Sequence, residues 1–299
     1  MKPPCAGSIL EVLQILASMR QAGYQIGLVP TMGALHAGHG ALIDRARHEC
    51  DYVVVSIFVN PIQFERRDDF EAYTIDLASD LEFCGARGAD LVFAPSAEEM
   101  HRPDRATYVE VTGVSEGLCG RFRPGHFRGV ATVVSKLFHI VAPGRAYFGE
   151  KDAQQLAIVQ RMVLDLNFPI EIVPVATVRE ADGLALSSRN RRLSAEERRI
   201  APLLYQALEA ARKRLEGGCD SASEAIAEAV TRLNAAPGMR VEYLELVDAL
   251  TMAPVERISG PARIAAAVWL GNTRLIDNVA VSAPAARYDC GAGKADPQA

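Results

Sequence analysis

An apolar run, Gln25-Ile-Gly-Leu-Val29, leads directly into Pro30-Thr-Met-Gly-Ala-Leu-His-Ala-Gly-His39, and this stretch decides the fold of the first half of the chain. The run predicts a buried strand, and the residues that follow predict a helix over residues 41–50. A helix start offers free N–H groups and the positive end of a dipole, which attract phosphate. Two imidazoles there, those of His36 and His39, can donate hydrogen bonds to charge that develops on a phosphoryl group. The stretch therefore predicts a strand–turn–helix unit that binds a nucleotide.

Two other interpretations of the histidine pair stay open. Histidines three positions apart also occur as surface residues or as a structural pair. Imidazole is a common metal ligand, but zinc takes three or four ligands and no cysteine lies close to this pair in the sequence. In its strand–turn–helix setting, His36-Ala-Gly-His39 resembles the signature of the nucleotidyltransferase superfamily, whose members cleave a nucleoside triphosphate at the α-phosphate.

The composition excludes several other classes of protein. Of 299 residues, 49% are hydrophobic and 23% charged, and the formal net charge is −5. These values are typical of a soluble globular protein with a sizeable core and argue against a general nucleic-acid binder, which needs a basic face. No apolar run approaches the ~20 residues of a membrane span, and the first residues lack the apolar core of a signal peptide. The six cysteines include no Cys-x-x-Cys, which predicts reduced thiols and a cytoplasmic protein.

Strand and helix patterns alternate through the first 180 residues, which predicts an α/β fold: a doubly wound parallel sheet with helices on both faces, Rossmann-like, with ligands at the carboxyl ends of its strands. The predicted strands cover residues 26–29, 52–59, 90–94, 146–148 and 170–175. The predicted helices cover residues 9–22, 41–50, 75–85, 129–141 and 152–166.

The pattern changes after about residue 190, where a smaller α+β C-terminal domain is predicted. Ser194-Ala-Glu-Glu197 is typical of a capping box and predicts a helix that runs to about residue 216. A second helix over 221–234 and strands over 241–247, 263–269 and 276–281 follow. The predicted domains are residues 1–180, which bind ATP and substrate, and residues 181–288, which form a lid domain. Residues 289–299 are predicted to be a disordered tail.

Further polar motifs follow the predicted strands. In Val59-Asn-Pro-Ile-Gln-Phe64, the amides of Asn60 and Gln63 offer donors and acceptors to a polar substrate, although a plain Asn-Pro turn is the simpler interpretation. Lys151 stands at a predicted helix start, where a cation is favourable only beside an anion such as phosphate. Leu186-Ser-Ser-Arg-Asn190 offers two hydroxyls and a guanidinium that suit phosphate.

Taken together, these motifs resemble the pantoate–β-alanine ligase (pantothenate synthetase) family over roughly residues 8–281, in the order of the family. The matching segments are Pro30-Thr-Met-Gly-Ala-Leu-His-Ala-Gly-His39, Ser56-Ile-Phe-Val-Asn-Pro-Ile-Gln-Phe64, Arg123-Pro-Gly-His-Phe-Arg-Gly129, Phe148-Gly-Glu-Lys-Asp152 with Gln154-Gln155, Asp182-Gly-Leu-Ala-Leu-Ser-Ser-Arg-Asn190 and Leu270-Gly-Asn-Thr-Arg-Leu-Ile-Asp-Asn278.

The resemblance implies an enzyme that makes pantothenate from pantoate, β-alanine and ATP with Mg²⁺, in vitamin B5 and coenzyme A biosynthesis. The pantoate carboxylate would attack the α-phosphate to give pantoyl adenylate and pyrophosphate, and β-alanine would then release AMP. It also implies a cytoplasmic homodimer that acts on no nucleic acid and no membrane.

The resemblance also assigns site residues. His39, His36 and Lys151 would be catalytic, and Asp80 would lie near the metal ion. Gln63 and Gln155 would hold pantoate near the β-alanine approach, with Asn60 in support. The ATP site would comprise Met32, Gly33, Ala34, Leu35, His36, Ala37, Gly38, His39, Gly149, Glu150, Lys151, Asp152, Val178, Leu186, Ser187, Ser188 and Arg189.

The chain departs from the family where Tyr73-Thr-Ile-Asp76 replaces the usual Tyr-Pro-Arg-Thr, which puts the local loop and the contact of Asp80 in question. The charged segment at residues 65–69 is a candidate lid. Other functions stay open: a different nucleotidyltransferase whose product keeps the AMP, a non-catalytic nucleotide-binding protein, or a protein that acts on tRNA. The acidic balance disfavours the last of these.

Overall fold

The structure, a computed structural model, describes residues 2–64, 73, 76–217 and 221–282. Six parallel strands form one sheet, in the order β1-β4-β3-β2-β5-β6. These strands are β1 Cys5–Ala6, β2 Ile26–Thr31, β3 Tyr52–Ile57, β4 Leu91–Phe93, β5 Arg145–Gly149 and β6 Glu171–Val175. The predicted doubly wound α/β fold is confirmed. Strands β3 and β4 follow β2 on one side, and β5 and β6 lie on its other side, so the strand order reverses between β2 and β5. A crevice for a ligand is expected at the carboxyl ends of these two strands.

The helices of this half pack on both faces of the sheet. They are α1 Ile9–Gln21, α2 Ala37–Glu49, α3 Leu77–Ala86, α4 Ala97–Met100, α5 Leu118–Phe122, α6 His126–Val141 and α7 Ala153–Asp165. Short 3₁₀ turns at Pro61–Gln63 and Glu150–Asp152 follow β3 and β5. Central strands are almost wholly buried, as expected of a parallel sheet that is covered on both faces.

Two predicted helix starts are wrong in an informative way. The helix predicted over 41–50 begins at Ala37, because the first histidine of the motif caps it. The helix predicted over 129–141 begins at His126. In both cases glycine and histidine weaken the helical pattern at the start, and tertiary contacts supply the missing stability. The motifs therefore lie in the first turns of these helices rather than in loops ahead of them.

The second half of the described chain has its own sheet and helices. Its antiparallel sheet has the order β7 Met239–Asp248, β8 Ala262–Leu270 and β9 Thr273–Val281. Its helices are α8 Ala195–Ile200, α9 Leu203–Glu216 and α10 Ala222–Asn234, after a 3₁₀ turn at Ser188–Arg192. The single helix predicted from residue 194 to 216 is wrong, since Pro202 lacks an N–H and interrupts it.

The two halves share a hydrophobic core. Side chains of the antiparallel sheet, among them Tyr243, Val247 and Ala267, belong to the same buried cluster as β2, β5 and helix α6. The remaining face of that sheet packs on α9 and α10 in a second cluster. The predicted domain boundary at residue 180 stays a prediction, and the predicted lid segment at 65–69 and the tail at 289–299 lie outside the described residues. Among the described residues, no helix is both long and apolar enough to cross a membrane.

Candidate active site

The two histidines of the first motif cap helix α2 together. His36 is the N-cap residue, and its Nδ1 accepts the N–H of Gly38 at 3.1 Å. Nδ1 of His39 accepts the N–H of His36 at 3.3 Å, and the two rings lie 4.1 Å apart. Because each Nδ1 is an acceptor, each neutral ring carries its proton on Nε2. The pair thus keeps one N–H donor on each ring for a ligand at the helix start.

Both imidazoles are neutral at physiological pH. Burial lowers the pKa of His36 to about 4, and the nearby cation of Lys151 adds to this. Burial also lowers the pKa of His39 to about 3, with His36 the next cause. These two side chains therefore serve as hydrogen-bond donors rather than as cations or proton donors near pH 7.

Asp80 shapes the turn that precedes the histidines. One of its carboxylate oxygens accepts the N–H of Ala34 at 2.9 Å, and the other accepts the N–H of Leu35 at 2.8 Å. The turn needs this support because Gly33 and Ala34 both have positive φ, 81° and 51°, which is costly for alanine. Asp80 is only 4% exposed. These contacts account for Asp80 without a metal ion, and its place beside magnesium stays a prediction.

Asn60 and Gln63 form a hydrogen-bonded pair at the end of β3. Asn60 Nδ2 donates to Gln63 Oε1 at 3.1 Å and to the carbonyl of Gly129 at 3.0 Å. Gln63 Nε2 lies 2.8 Å from the sulfur of Met32. Asn60 is 1% exposed and lies outside the cavities described below, whereas Gln63 lines one of them. The structure thus places Asn60 behind the site, in support of Gln63.

Cationic side chains surround the same region. Lys151, in the turn after β5, is 16% exposed and forms an ion pair with Asp152 at 3.9 Å. Arg189, in the turn before α8, makes no ion pair with any described residue, and burial beside Arg123 lowers its pKa. A partly buried guanidinium without an ion-pair partner is unfavourable unless an anion binds it. These cations are therefore suited to a polyanionic ligand.

A residue of the C-terminal sheet fixes the turn that carries Lys151. Asn278, on β9, donates from Nδ2 to the carbonyls of Glu150 at 2.8 Å and Lys151 at 3.0 Å. Its neighbour Asp277 is held by Arg179 through two hydrogen bonds of 2.6 and 3.0 Å. The antiparallel sheet therefore contributes directly to the site.

Two adjoining cavities open at the carboxyl ends of β2 and β5. The larger one is lined by twelve of the predicted ATP-binding residues: Met32, His36, Gly38, His39, Gly149, Lys151, Asp152, Val178, Leu186, Ser187, Ser188 and Arg189. Five predicted ATP-binding residues do not line it: Gly33, Ala34, Leu35, Ala37 and Glu150. Three of these form the turn held by Asp80, and the side chain of Glu150 faces Arg263 at 3.5 Å.

The smaller cavity contains the amide groups. Gln63 and Gln155 both line it, and Gln155 lines the larger cavity as well. The amide of neighbouring Gln154 makes three hydrogen bonds within the protein: it accepts the N–H of Cys119 and donates to the carbonyls of Val114 and Gly117. Both glutamines line the smaller cavity, but the amide of Gln154 is already hydrogen-bonded within the protein, so Gln155 is the better placed of the two to bind a ligand.

Several lining residues received no role from the sequence. Pro30, Leu42, Tyr73, Tyr147, Phe148, Ala176 and Thr177 line the larger cavity, and Tyr243, Arg274, Asp277 and Asn278 line the smaller one. Arg123 and His126, which belong to a segment that the sequence motifs include, also line the smaller cavity. Ala176 and Thr177 directly follow β6, so their position at the carboxyl end of a predicted strand could have identified them as site residues. The residues from β7 and β9 come from the second half of the chain, and the sequence motifs do not reveal that β9 reaches the first sheet.

No dedicated metal-binding cluster is present in the part of the chain that the structure describes, where no three His, Cys, Asp or Glu side chains are grouped to hold an ion. Magnesium bound with a nucleotide needs only one or two carboxylates in addition to the phosphates. Asp152 lines both cavities, and its side chain is 48% exposed, so its carboxylate is accessible from either cavity.

A parallel sheet whose turn between β2 and α2 carries paired histidine donors, with cations opposite and amides alongside, defines a nucleotidyltransferase that activates a small polar substrate. The comparisons with known proteins give the particular family. The family model described as Pantoate-beta-alanine ligase matches residues 5–280. The chain belongs to the pantoate–β-alanine ligase family.

Individual relatives agree with the family match. The chain is 53% identical to the pantothenate synthetase of Moorella thermoacetica over 272 residues, which cover 91% of this chain and 96% of the relative. The crystal structure of pantothenate synthetase from Thermus thermophilus superposes with a TM-score of 0.86 at 46% identity, over 92% of this chain and 98% of the other. The ligase from Francisella tularensis, solved with β,γ-ATP and β-alanine, gives a TM-score of 0.77 at 33% identity over 93% and 97% of the two chains.

Proposed function

We propose that this enzyme condenses (R)-pantoate with β-alanine, at the expense of ATP, to give pantothenate, AMP and pyrophosphate through an enzyme-bound pantoyl adenylate. One observation carries the proposal: the two cavities share a wall formed by Met32, Lys151, Asp152, Gln155 and Arg189. A nucleotide in the larger cavity and a carboxylate substrate in the smaller one would therefore meet at two cations and one amide.

In the first step, a pantoate carboxylate oxygen attacks the α-phosphorus of ATP, and the bond from that phosphorus to the β-bridging oxygen breaks, so pyrophosphate leaves. Both reactants are anionic, so the site must offset their repulsion. Lys151 and Arg189 supply positive charge, and the Nε2–H groups of His36 and His39 supply neutral donors to the phosphoryl oxygens. Donors that are fixed before the reaction stabilise developing charge most effectively. Holding the reactants in line supplies the rest.

In the second step, the amine of β-alanine attacks the acyl carbon of the adenylate. The bond from that carbon to the phosphate-bridging oxygen breaks, so AMP leaves with one oxygen from pantoate, and the amine loses its proton. Gln63 and Gln155 would hold the pantoyl group during both steps. Because water also attacks acyl adenylates, the site must exclude it. Side chains of α6, α7 and β9 line the smaller cavity and would shield a bound adenylate from part of the solvent.

We further propose that ATP binds with Mg²⁺, held mainly by the phosphates and water with Asp152 as the protein carboxylate. Mg²⁺ would reduce the negative charge of the triphosphate and of the departing pyrophosphate. A cytoplasmic location and a homodimer complete the proposal. The first is supported by the free thiols of Cys50, Cys84 and Cys119, which are buried without disulfides, and the second by the family resemblance.

Isotope exchange tests the adenylate. With pantoate and Mg²⁺ but no β-alanine, the enzyme should exchange labelled pyrophosphate into ATP, and it should not do so without pantoate. Oxygen-18 in the pantoate carboxylate should appear in AMP after β-alanine is added. An active enzyme that neither exchanges pyrophosphate nor transfers the label would refute the adenylate.

Substrate omission separates the alternatives. AMP release should require ATP, pantoate and β-alanine together. A nucleotidyltransferase of another kind would retain the AMP in its product and would not need β-alanine, and a phosphoryl-transfer ligase would release ADP. A non-catalytic nucleotide-binding protein would bind ATP without any turnover that depends on pantoate.

A further inference from the structure

A buried histidine outside both cavities is connected to the substrate-facing amide of Gln63. His101 follows helix α4 and is 8% exposed. Its Nε2 lies 2.8 Å from Oδ1 of Asn60, and Nδ2 of Asn60 donates to Oε1 of Gln63 at 3.1 Å. The three side chains form a continuous series of hydrogen bonds that begins behind the site and ends at the smaller cavity.

The direction of each hydrogen bond follows from fixed acceptors. Nδ2 of Asn60 faces the main-chain carbonyl of Gly129 at 3.0 Å, which can only accept, so this end of the amide is the NH₂ group. Oδ1 of Asn60 is therefore an acceptor, and the atom that faces it, Nε2 of His101, must carry a proton. Burial lowers the pKa of His101 to about 4, so near pH 7 the ring is neutral with that proton on Nε2.

The hydrogen bond from Asn60 also determines the orientation of the Gln63 amide. Its Oε1 is occupied by the amide of Asn60, so its NH₂ group is the end that remains for a ligand. Among the described residues, that group faces only the weak acceptor sulfur of Met32, at 2.8 Å. A substrate in the smaller cavity therefore meets a donor at Gln63, which suits a carboxylate or hydroxyl oxygen.

We propose that His101 is a positioning residue for the carboxylate substrate: by donating from Nε2 to Asn60, it fixes the amide orientation that makes Gln63 present N–H groups to the smaller cavity. This inference rests on the proposed function, since it assigns the hydroxy acid pantoate to that cavity. Without the donor of His101, the amide of Asn60 loses its third partner, and the orientations of Asn60 and Gln63 are less strongly determined.

Two replacements of His101 test the proposal. His101→Phe keeps a planar ring but removes the donor, whereas His101→Gln keeps an N–H at a similar distance from the backbone. His139→Phe is a control for the loss of an imidazole elsewhere, because among the described residues the ring of His139 hydrogen-bonds only the carbonyl of Ser135 in its own helix. The measured quantities are kcat and the KM values of pantoate and ATP, with the melting temperature as a check on folding.

We expect the KM for pantoate to rise about tenfold or more in His101→Phe, with the KM for ATP unchanged within about twofold. His101→Gln should recover most of the loss, and His139→Phe should match the wild type. An unchanged pantoate KM in His101→Phe would overturn the proposal. Equal losses for ATP and pantoate that His101→Gln does not repair would also overturn it, since they indicate a merely structural role. Absent turnover in the wild-type enzyme would instead count against the proposed function.

A measurement on the unmodified enzyme keeps the test valid even if His101→Phe does not fold. Nitrogen-15 NMR of the histidine rings at pH 7 should show His101 as the Nε2–H tautomer. The Nδ1–H tautomer would reverse the hydrogen bond to Asn60 and overturn the proposal, whatever the kinetics show.

Discussion

Gly129→Ala should damage pantoate use through the backbone that carries Gln63. Gly129 lies in α6, and a Cβ there would be 2.5 Å from the carbonyl oxygen of Ile62, 2.7 Å from Cα of Gln63 and 2.8 Å from its nitrogen. All three atoms belong to the main chain, so the 3₁₀ turn that carries Gln63 must move. Gly40→Ala is a matched control, because its Cβ would also meet an atom at 2.5 Å, but that atom is the tip of Arg87.

The expected magnitudes differ between these two variants. Alanine in place of a helical glycine gains about 1 kcal/mol, whereas overpacking costs about 1–3 kcal/mol. With rigid main chain as the neighbour of Gly129, we expect the upper cost and a net loss of roughly 2 kcal/mol. At ~2–4 °C per kcal/mol, the melting temperature should fall by about 4–8 °C. In Gly40→Ala the side chain of Arg87 can turn away, so stability should change by less than about 1 kcal/mol.

Calorimetry and steady-state kinetics check this prediction. Gly129→Ala should melt earlier and show a raised KM for pantoate, with the KM for ATP less affected. Gly40→Ala should resemble the wild type in both respects. If Gly129→Ala were at least as stable as Gly40→Ala and used pantoate normally, the close approach of α6 to the Gln63 turn would not constrain the site as argued.

Four further outcomes are expected. His39→Ala should lower turnover by ~10²–10³ through loss of one phosphoryl donor, with a normal circular dichroism spectrum, and near-normal turnover would refute its role. Lys151→Ala should slow pyrophosphate exchange and weaken ATP binding, and unchanged exchange would make Lys151 a bystander. Gln63→Ala should impair pantoate use by about 1–3 kcal/mol while calorimetry shows normal ATP binding, and the reverse pattern would contradict the assignment. Folding stability should fall as the pH drops from about 6.5 toward 4, because four histidines have a lowered folded pKa and the unfolded chain binds more protons in that window; a flat melting temperature from pH 7 to 5 would argue against neutral buried rings. These histidines are His36, His39, His101 and His126.

The sequence predicted the fold class and pointed to most of the residues that line the larger cavity, because both depend on local patterns. Apolar strands that alternate with helices leave few arrangements other than a covered parallel sheet. Motifs at the ends of such strands meet at one edge of that sheet. The structure places His36, His39, Lys151 and Arg189, which come from three distant segments of the chain, around one cavity.

The partners of each side chain were not predictable in the same way. The assignment of Asp80 to a metal ion stays a prediction, and the sequence did not reveal that its two carboxylate oxygens accept the N–H groups of Ala34 and Leu35, 46 and 45 residues away. Asn60 was grouped with the substrate ligands, and the sequence did not reveal that both polar atoms of its side chain have partners inside the protein, one of them His101. Such contacts depend on tertiary distances that residue type and spacing do not encode.

The link from Asn278 to the turn of Lys151 limits how far this enzyme can be divided. A protein whose halves each complete their own site can exchange one half by recombination. Here the backbone that carries Lys151 takes two of its hydrogen bonds from β9, more than 120 residues later in the chain. Side chains of the antiparallel sheet also fill the core beneath the parallel one. The two halves must therefore remain compatible with each other. A chimera of distant relatives should take the turn that carries Lys151 and strand β9 from the same parent.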